Sequence, residues 1–165
     1  LISNLKNPLH AYPAYCLLFC MPGIPSIYYG SEWGMTGERT AADDHILRPY
    51  IDPNSPVLNP NLQNLPNYIA RLAQQRLQSP ALQTGSYQQV LVAGEQFAFI
   101  RETKEEGILI VVNSAQQSVA LEIPVPADHS SEPIDLLSNE KFILEDNKLV
   151  IPNILSNSGR VIKIR

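Results

Sequence analysis

The hydrophobic pattern of this chain of 165 residues changes its period at Gly85. Before Gly85 apolar residues recur at the spacing of an α-helix, and after it they alternate, as they do in β-strands. This change predicts an α+β chain with two parts, residues 1–82 and residues 83–165, joined between Ser79 and Gly85. The second part is expected to be an antiparallel β-sandwich of about eight strands, because its strands are short and closely connected.

The predicted strands are bounded by residues that favour turns. Ala93-Gly94-Glu95, Ser138-Asn139-Glu140 and Asp146-Asn147 are expected to connect neighbouring strands. The strands are predicted at Tyr87–Ala93, Gln96–Glu102, Ile108–Asn113, Val119–Ile123, Ile134–Leu137, Lys141–Leu144, Lys148–Ile151 and Val161–Arg165.

Two helices are predicted in the first part. The segment Leu9–Met21 is apolar nearly all round, which is typical of a buried helix, and Pro13 requires the helix to begin near Ala11 or Tyr12. The second helix is expected to follow Asn64 as its N-cap and to end before Pro80. Its apolar stripe is formed by Leu65, Ile69, Leu72, Ala73 and Leu77.

Between the two helices lies a short apolar run, Ile24–Tyr29, followed by a long segment without periodicity. Such a run, bounded by glycine and rich in β-branched and aromatic residues, predicts a strand buried on both faces, as in a parallel sheet. In parallel α/β folds the functional site lies beyond the carboxyl ends of the strands. The segment after Tyr29 is therefore the expected place of a ligand site.

The composition excludes several classes of protein. The net charge is −4 and no basic run is present, so a nucleic-acid partner is not expected. No apolar run approaches the ~18 residues of a membrane-spanning helix, so a membrane partner is not expected either. Cys16 and Cys20 are predicted to be buried free thiols, because two ligands alone do not form a zinc site. No metal site is predicted.

The segment after Tyr29 holds the side chains that suit a sugar. Asp44 and Arg48 are four residues apart, a spacing at which the two side chains can pair on one face of a helical turn. Such a pair can bind a vicinal diol, since the carboxylate accepts and the guanidinium donates hydrogen bonds. A surface ion pair is the ordinary alternative at this spacing. The other residues able to reach a ligand are Glu32, Trp33, Glu38, Arg39, Asp43 and His45.

Several segments, taken in order, resemble the α-amylase family of retaining α-glucan hydrolases. PGIPSIYYGSEWG resembles that family's eighth barrel strand, and DDHILRP resembles the loop with an Asp followed four residues later by an Arg. LAQQRLQSPALQTGSY resembles the last barrel helix and its exit. AFIRETKEEGILIVVNSA, IDLLSNE, LVIP and VIKI resemble strands of the C-terminal sandwich.

The resemblance implies that residues 1–82 are the terminal αβα piece of a (β/α)₈ barrel, and that the chain is part of a longer glycosidase. The expected substrate is an α-1,4-linked glucan or maltooligosaccharide, bound by Asp44 and Arg48. Glu32 is expected to support the barrel mouth, with Tyr29 and Trp33 as further supporting residues. The three catalytic carboxylates of the family match nothing in this chain, which is therefore expected to be inactive alone. No cofactor is expected, and a calcium ion elsewhere in a longer protein is left open.

Other interpretations remain open from the sequence. A carbohydrate-binding or structural module would carry exposed aromatic residues on the sandwich, and a non-catalytic relative would keep the barrel only as a scaffold. If the chain is a barrel piece, its open strand edges and apolar faces predict self-association, or disorder before about residue 60.

Overall fold

The computed structural model describes residues 2–37, 45–47, 49–52, 54, 59–126 and 132–165. Its helices are α1 Ala11–Cys20, α2 Leu65–Gln78 and α3 Pro80–Thr84. Its strands are β1 Ser86–Ala93, β2 Gln96–Glu102, β3 Gly107–Asn113, β4 Val119–Pro124, β5 Ile134–Asp135, β6 Ile143–Glu145, β7 Lys148–Ile154 and β8 Ser158–Lys163. None of the helices among the described residues has both the length and the apolar composition of a membrane-spanning helix.

The strands form two antiparallel sheets, as the alternating pattern predicts. One sheet has the order β1-β2-β3-β8-β5 and the other has the order β4-β7-β6. The predicted turns are confirmed by their backbone angles, since Gly94, Asn139, Asp146 and Asn147 all have positive φ. Asn and Asp tolerate this conformation better than other residues with a side chain, which is why they are found at these turns.

The larger sheet is covered on both faces, so the described residues form three layers. One face packs Ile100, Leu109 and Ile162 against the smaller sheet. The opposite face packs Phe99 and Ile110 against the helices. Every position of β3 is buried, which explains why its sequence is a continuous apolar run instead of an alternating one.

The first helix confirms the sequence prediction. Helix α1 begins at Ala11, so Pro13 lies in its first turn, where proline is tolerated. A 3₁₀ turn, Pro8–His10, leads into it, and the Asn7 side chain accepts a hydrogen bond from the Leu9 amide at 3.0 Å. Helix α1 is buried on several sides because it lies between α2 and the larger sheet.

Two details of the predicted elements are wrong. Ile24–Tyr29 forms no strand, and no described residue before Ser86 does. A strand needs a hydrogen-bonding neighbour, and this segment has none here: Ile24 is 95% exposed. Asn64 is the N-cap residue of α2, as predicted, although its side chain makes no capping hydrogen bond. Leu77 is 79% exposed, whereas the adjacent Arg76 is buried.

Candidate functional site

The turn after Tyr29 is built between two glycines in the left-handed conformation. Gly30 has φ 77° and Gly34 has φ 73°, on either side of a 3₁₀ turn, Ser31–Trp33. Both glycines are also required by packing. A Cβ at Gly30 would overlap the Met35 sulfur, and one at Gly34 would come within 2.9 Å of the Leu62 side chain. This turn is therefore fixed in shape by its sequence.

Glu32 and Trp33, two of the predicted supporting residues, are half-buried in this turn. The Trp33 carbonyl accepts a hydrogen bond from the Asn59 amide at 3.1 Å, which ties the turn to the segment before α2. One carboxylate oxygen of Glu32 is buried and has no hydrogen-bond partner among the described residues. Burial raises the pKa of the neighbouring Tyr15, and the negative charge of Glu32 raises it further.

Tyr29 lines a pocket of about 200 Å³. Its hydroxyl donates a hydrogen bond to the Pro49 carbonyl at 2.9 Å. Ser3 and Gly37 line the same pocket, and the Ser3 hydroxyl and the backbone of Gly37 exchange two hydrogen bonds of 2.9 and 3.0 Å. These contacts join segments that are distant in the sequence. The pocket is lined by Ser3, Asn4, Tyr28, Tyr29, Ser31, Met35, Thr36, Gly37 and Leu47.

The two predicted sugar-binding residues, Asp44 and Arg48, lie outside the described residues, and so do Glu38, Arg39 and Asp43. His45 is described and exposed. Leu47, which directly precedes Arg48, lines the pocket. The sugar-binding role of Asp44 and Arg48 therefore stays a prediction.

Two buried arginines hold the segment that leads to this turn. Arg76 on α2 donates to the carbonyls of Phe19, Met21 and Gly23. The burial of Arg76 was not predicted from the sequence, because the apolar stripe of α2 indicated that the adjacent Leu77 would be buried. The signal available was the end of α1, whose last carbonyls need donors.

Arg101 on β2 reaches the same helix end from the larger sheet. It donates to the carbonyls of Cys20, Gly85 and Ser86 at 2.7 to 3.1 Å and is 1% exposed. Burial lowers the pKa of Arg101, and the positive charge of Arg76 lowers it further. The described residues contain no group of three or more His, Cys, Asp or Glu side chains that could hold a metal ion.

The fold and the turn thus define a helical segment with a glycine-bounded polar turn, followed by an antiparallel sandwich. Residues 87–152 match the family described as maltogenic amylase, C-terminal domain. The chain is 29% identical over 139 residues to a maltogenic α-amylase of Bacillus acidopullulyticus, covering 81% of this chain and 22% of that protein. It is 31% identical over 135 residues to a cyclomaltodextrinase of Geobacillus thermopakistaniensis (strain MAS1), covering 78% of this chain and 21% of that protein.

Among solved structures, AmyP in complex with maltose resembles 96% of this chain with a TM-score of 0.77 and 18% sequence identity, covering 34% of that chain. At 18% sequence identity, this similarity supports a shared fold and no shared role. The chain spans about a fifth of the length of the curated relatives it matches. Together these findings show that the chain belongs to the α-amylase family and corresponds to the C-terminal part of such a protein.

Proposed function

We propose that this chain is the C-terminal portion of a retaining α-amylase-type glycosidase that acts on α-1,4-linked glucans or maltooligosaccharides. The observation that carries the proposal is the match of about four fifths of the chain to a maltogenic α-amylase and a cyclomaltodextrinase. Both names denote enzymes that act on α-linked glucans. The maltose bound to the structural neighbour AmyP agrees with the same class of substrate.

In this proposal Asp44 and Arg48 bind the sugar ring next to the scissile bond. The carboxylate of Asp44 accepts hydrogen bonds from sugar hydroxyls, and the guanidinium of Arg48 donates them. The described neighbourhood supports this role, because the Tyr29 hydroxyl is bonded to the carbonyl of Pro49, directly after Arg48. Tyr29, Glu32 and Trp33 then support the site without contacting the reacting atoms.

The chemistry itself is proposed to lie in another part of the longer protein. A retaining glycosidase uses two carboxyl groups about 5–5.5 Å apart, one as nucleophile and one as general acid and base. In this family they are expected on the fourth and fifth barrel strands, with a third Asp after the seventh. No residue of this chain is assigned to proton transfer or nucleophilic attack.

The alternative, a carbohydrate-binding or structural module, finds less support in the sandwich. Such a module would present aromatic side chains to solvent. Phe99 is fully buried and Phe142 is 7% exposed. Tyr87 is 42% exposed, but its ring packs on that of Phe99 with centroids 5.2 Å apart.

Replacing Asp44 or Arg48 by alanine in the intact polypeptide is expected to lower kcat/KM by about 30-fold or more. This corresponds to about 2 kcal/mol of transition-state binding, the worth of a hydrogen bond to a charged group. Steady-state kinetics on a maltooligosaccharide measure the effect. Arg71→Ala and Glu145→Ala, which remove two exposed charges outside the segment of residues 21–52, are the matched controls and should change kcat/KM less than about twofold. Unchanged kcat/KM in both Asp44→Ala and Arg48→Ala would refute the assignment.

The 165-residue chain alone is expected to show no glycosidase activity, because it lacks the proposed catalytic carboxylates. The measurement is hydrolysis of a chromogenic maltoside by the purified chain. Turnover that co-purifies with this chain and disappears on heat denaturation would contradict the expectation.

A further inference from the structure

The guanidinium of Arg76 joins the end of α1 to the backbone that follows it. It donates hydrogen bonds to the carbonyl of Phe19 at 2.7 Å, to that of Met21 at 3.2 Å and to that of Gly23. Only the first of these carbonyls belongs to α1, which ends at Cys20. A guanidinium presents its donors in a rigid planar fork, so this one side chain fixes the three carbonyls relative to one another.

The conformation of Gly23 depends on contacts and not on space. Its φ is 116°, which lies in the left-handed region that residues with a side chain rarely adopt. A Cβ at Gly23 would meet no atom within 4 Å, so glycine is required there by the backbone angle alone. Because glycine has many accessible conformations, contacts must select one of them. The bond from Arg76 to the Gly23 carbonyl is a contact that does so.

The helix that carries Arg76 also holds the far end of the same segment. Helix α2 packs against the 3₁₀ turn Ser31–Trp33, and only Ile24–Tyr29 lies between that turn, with its glycine, and Gly23. Six residues span at most about 22 Å, and the helix rises about 17 Å from Leu65 to Arg76. The segment thus runs between two attachments on one rigid helix, so a displacement of the first attachment is passed on to the turn.

We propose that Arg76 is a positioning residue for the sugar-binding segment, because by holding the carbonyls before Ile24 it sets where the turn Ser31–Trp33 lies. The link to sugar binding rests on the proposed function, in which this turn supports Asp44 and Arg48. Arg76 acts through the backbone and contacts no substrate.

Arg101 offers a matched comparison, since it is a second buried arginine at the same helix end. It donates to the carbonyl of Cys20, the last residue of α1, and to those of Gly85 and Ser86. Its bonds therefore hold the helix end on the sandwich, whereas those of Arg76 hold the backbone beyond the helix. Loss of either arginine should lower stability, but only loss of Arg76 should move the turn.

Fluorescence of Trp33 tests the positioning step, because Trp33 is the single tryptophan of the 165-residue chain. It is half-buried in the turn, so its emission shifts to longer wavelength when the turn moves toward water. Arg76→Lys keeps the charge but not the fork, and should give this shift together with stronger quenching by acrylamide. Gly23→Ala should give the same shift, and the double variant should shift little further. Arg101→Met, compared where circular dichroism shows every chain folded, should keep the wild-type emission.

Kinetics of the intact polypeptide test the link to sugar binding. Arg76→Lys should lower kcat/KM on a maltooligosaccharide about tenfold or more, because a misplacement of about 1 Å costs up to about 100-fold. Part of the loss should be a higher KM, since a smaller folded fraction lowers the apparent kcat and leaves KM unchanged. Arg101→Met should keep the wild-type KM.

Three results would overturn the proposal. Wild-type Trp33 emission in both Arg76→Lys and Gly23→Ala would show that the turn does not depend on these bonds. An equal shift in Arg101→Met would show that the end of α1 as a whole, and not Arg76, places the turn. A shifted emission with unchanged KM and kcat/KM would remove the link to sugar binding. Failure of the glycosidase proposal would appear instead in Asp44→Ala and Arg48→Ala, and it leaves the fluorescence result intact.

Discussion

Replacing Arg101 by methionine is expected to lower the free energy of unfolding by about 3 to 5 kcal/mol. The substitution keeps an unbranched apolar stem but removes the donors that Arg101 provides to the carbonyls of Cys20, Gly85 and Ser86. The buried Cys20 carbonyl left without a partner costs about 1–3 kcal/mol, and loss of the two part-buried bonds to Gly85 and Ser86 costs about 0.5–1.5 kcal/mol each. Arg101 is 1% exposed, so water does not reach the Cys20 carbonyl without opening the interface between α1 and the larger sheet. Urea denaturation measures the change.

Arg71→Met is the matched control for this prediction. Arg71 is exposed on α2 and has no hydrogen bond or ion pair among the described residues, so its replacement should change stability by about 0.5 kcal/mol or less. Equal stability of the Arg101→Met and Arg71→Met chains would mean that the three carbonyls are satisfied in another way. A lower m-value in Arg101→Met would instead indicate that its two parts unfold separately.

The strands were the most predictable part of this protein, because their signals are local. The pair Asp146-Asn147 adopts positive φ at both positions, which makes a tight hairpin between β6 and β7. The pairing of β3 with β8, in contrast, joins residues about 50 apart and could not be read from alternation. The burial of β3 on both faces depends on the helices and the smaller sheet together.

The errors all concern interactions between distant residues. Ile24–Tyr29 has the composition of a buried strand, but no described segment lies beside it to accept its hydrogen bonds. Arg76 is buried in place of Leu77 because the carbonyls at the end of α1 need a donor, and a single helix pattern cannot show that need. The sequence indicated the segment after Tyr29 as the place of a ligand site, but not the turn between Gly30 and Gly34. It also gave no sign that Asn4 and Thr36 line one pocket, because only the fold brings them together.

The sandwich stabilises the ends of two helices with charges of the appropriate sign. Arg101 places a positive charge at the C-terminus of α1, where the helix dipole is negative. Glu106, in the turn between β2 and β3, accepts hydrogen bonds from the Ser79 hydroxyl and the Ala81 amide at the N-terminus of α3, at 2.6 and 2.9 Å. The sandwich therefore helps to hold the end of α1, which precedes the segment that leads to the turn after Tyr29.

Gly85→Ala is expected to destabilise the chain by about 3 kcal/mol, the upper part of the range for overpacked sites. Gly85 has ordinary angles, φ −62° and ψ 159°, so the cost is steric and not conformational. A Cβ there would lie 2.5 Å from the Ala81 carbonyl oxygen and within 2.9 Å of two backbone atoms of Glu102. These are backbone atoms of α3 and β2, which cannot move aside as a flexible side chain can.

Gly94→Ala separates this steric cost from backbone strain. Gly94 has φ 58° but meets only a distant side-chain atom, so alanine there should cost about 1–2 kcal/mol from its left-handed conformation alone. We expect Gly85→Ala to lower the urea midpoint more than Gly94→Ala, with equal m-values, and to weaken the Arg101 contact with the Gly85 carbonyl. If Gly94→Ala lowers the urea midpoint more than Gly85→Ala does, the backbone at the junction between α3 and β1 moves to accommodate a Cβ more easily than the short distances imply. Arg101 and not Gly85 would then be the residue that fixes the helices on the sandwich.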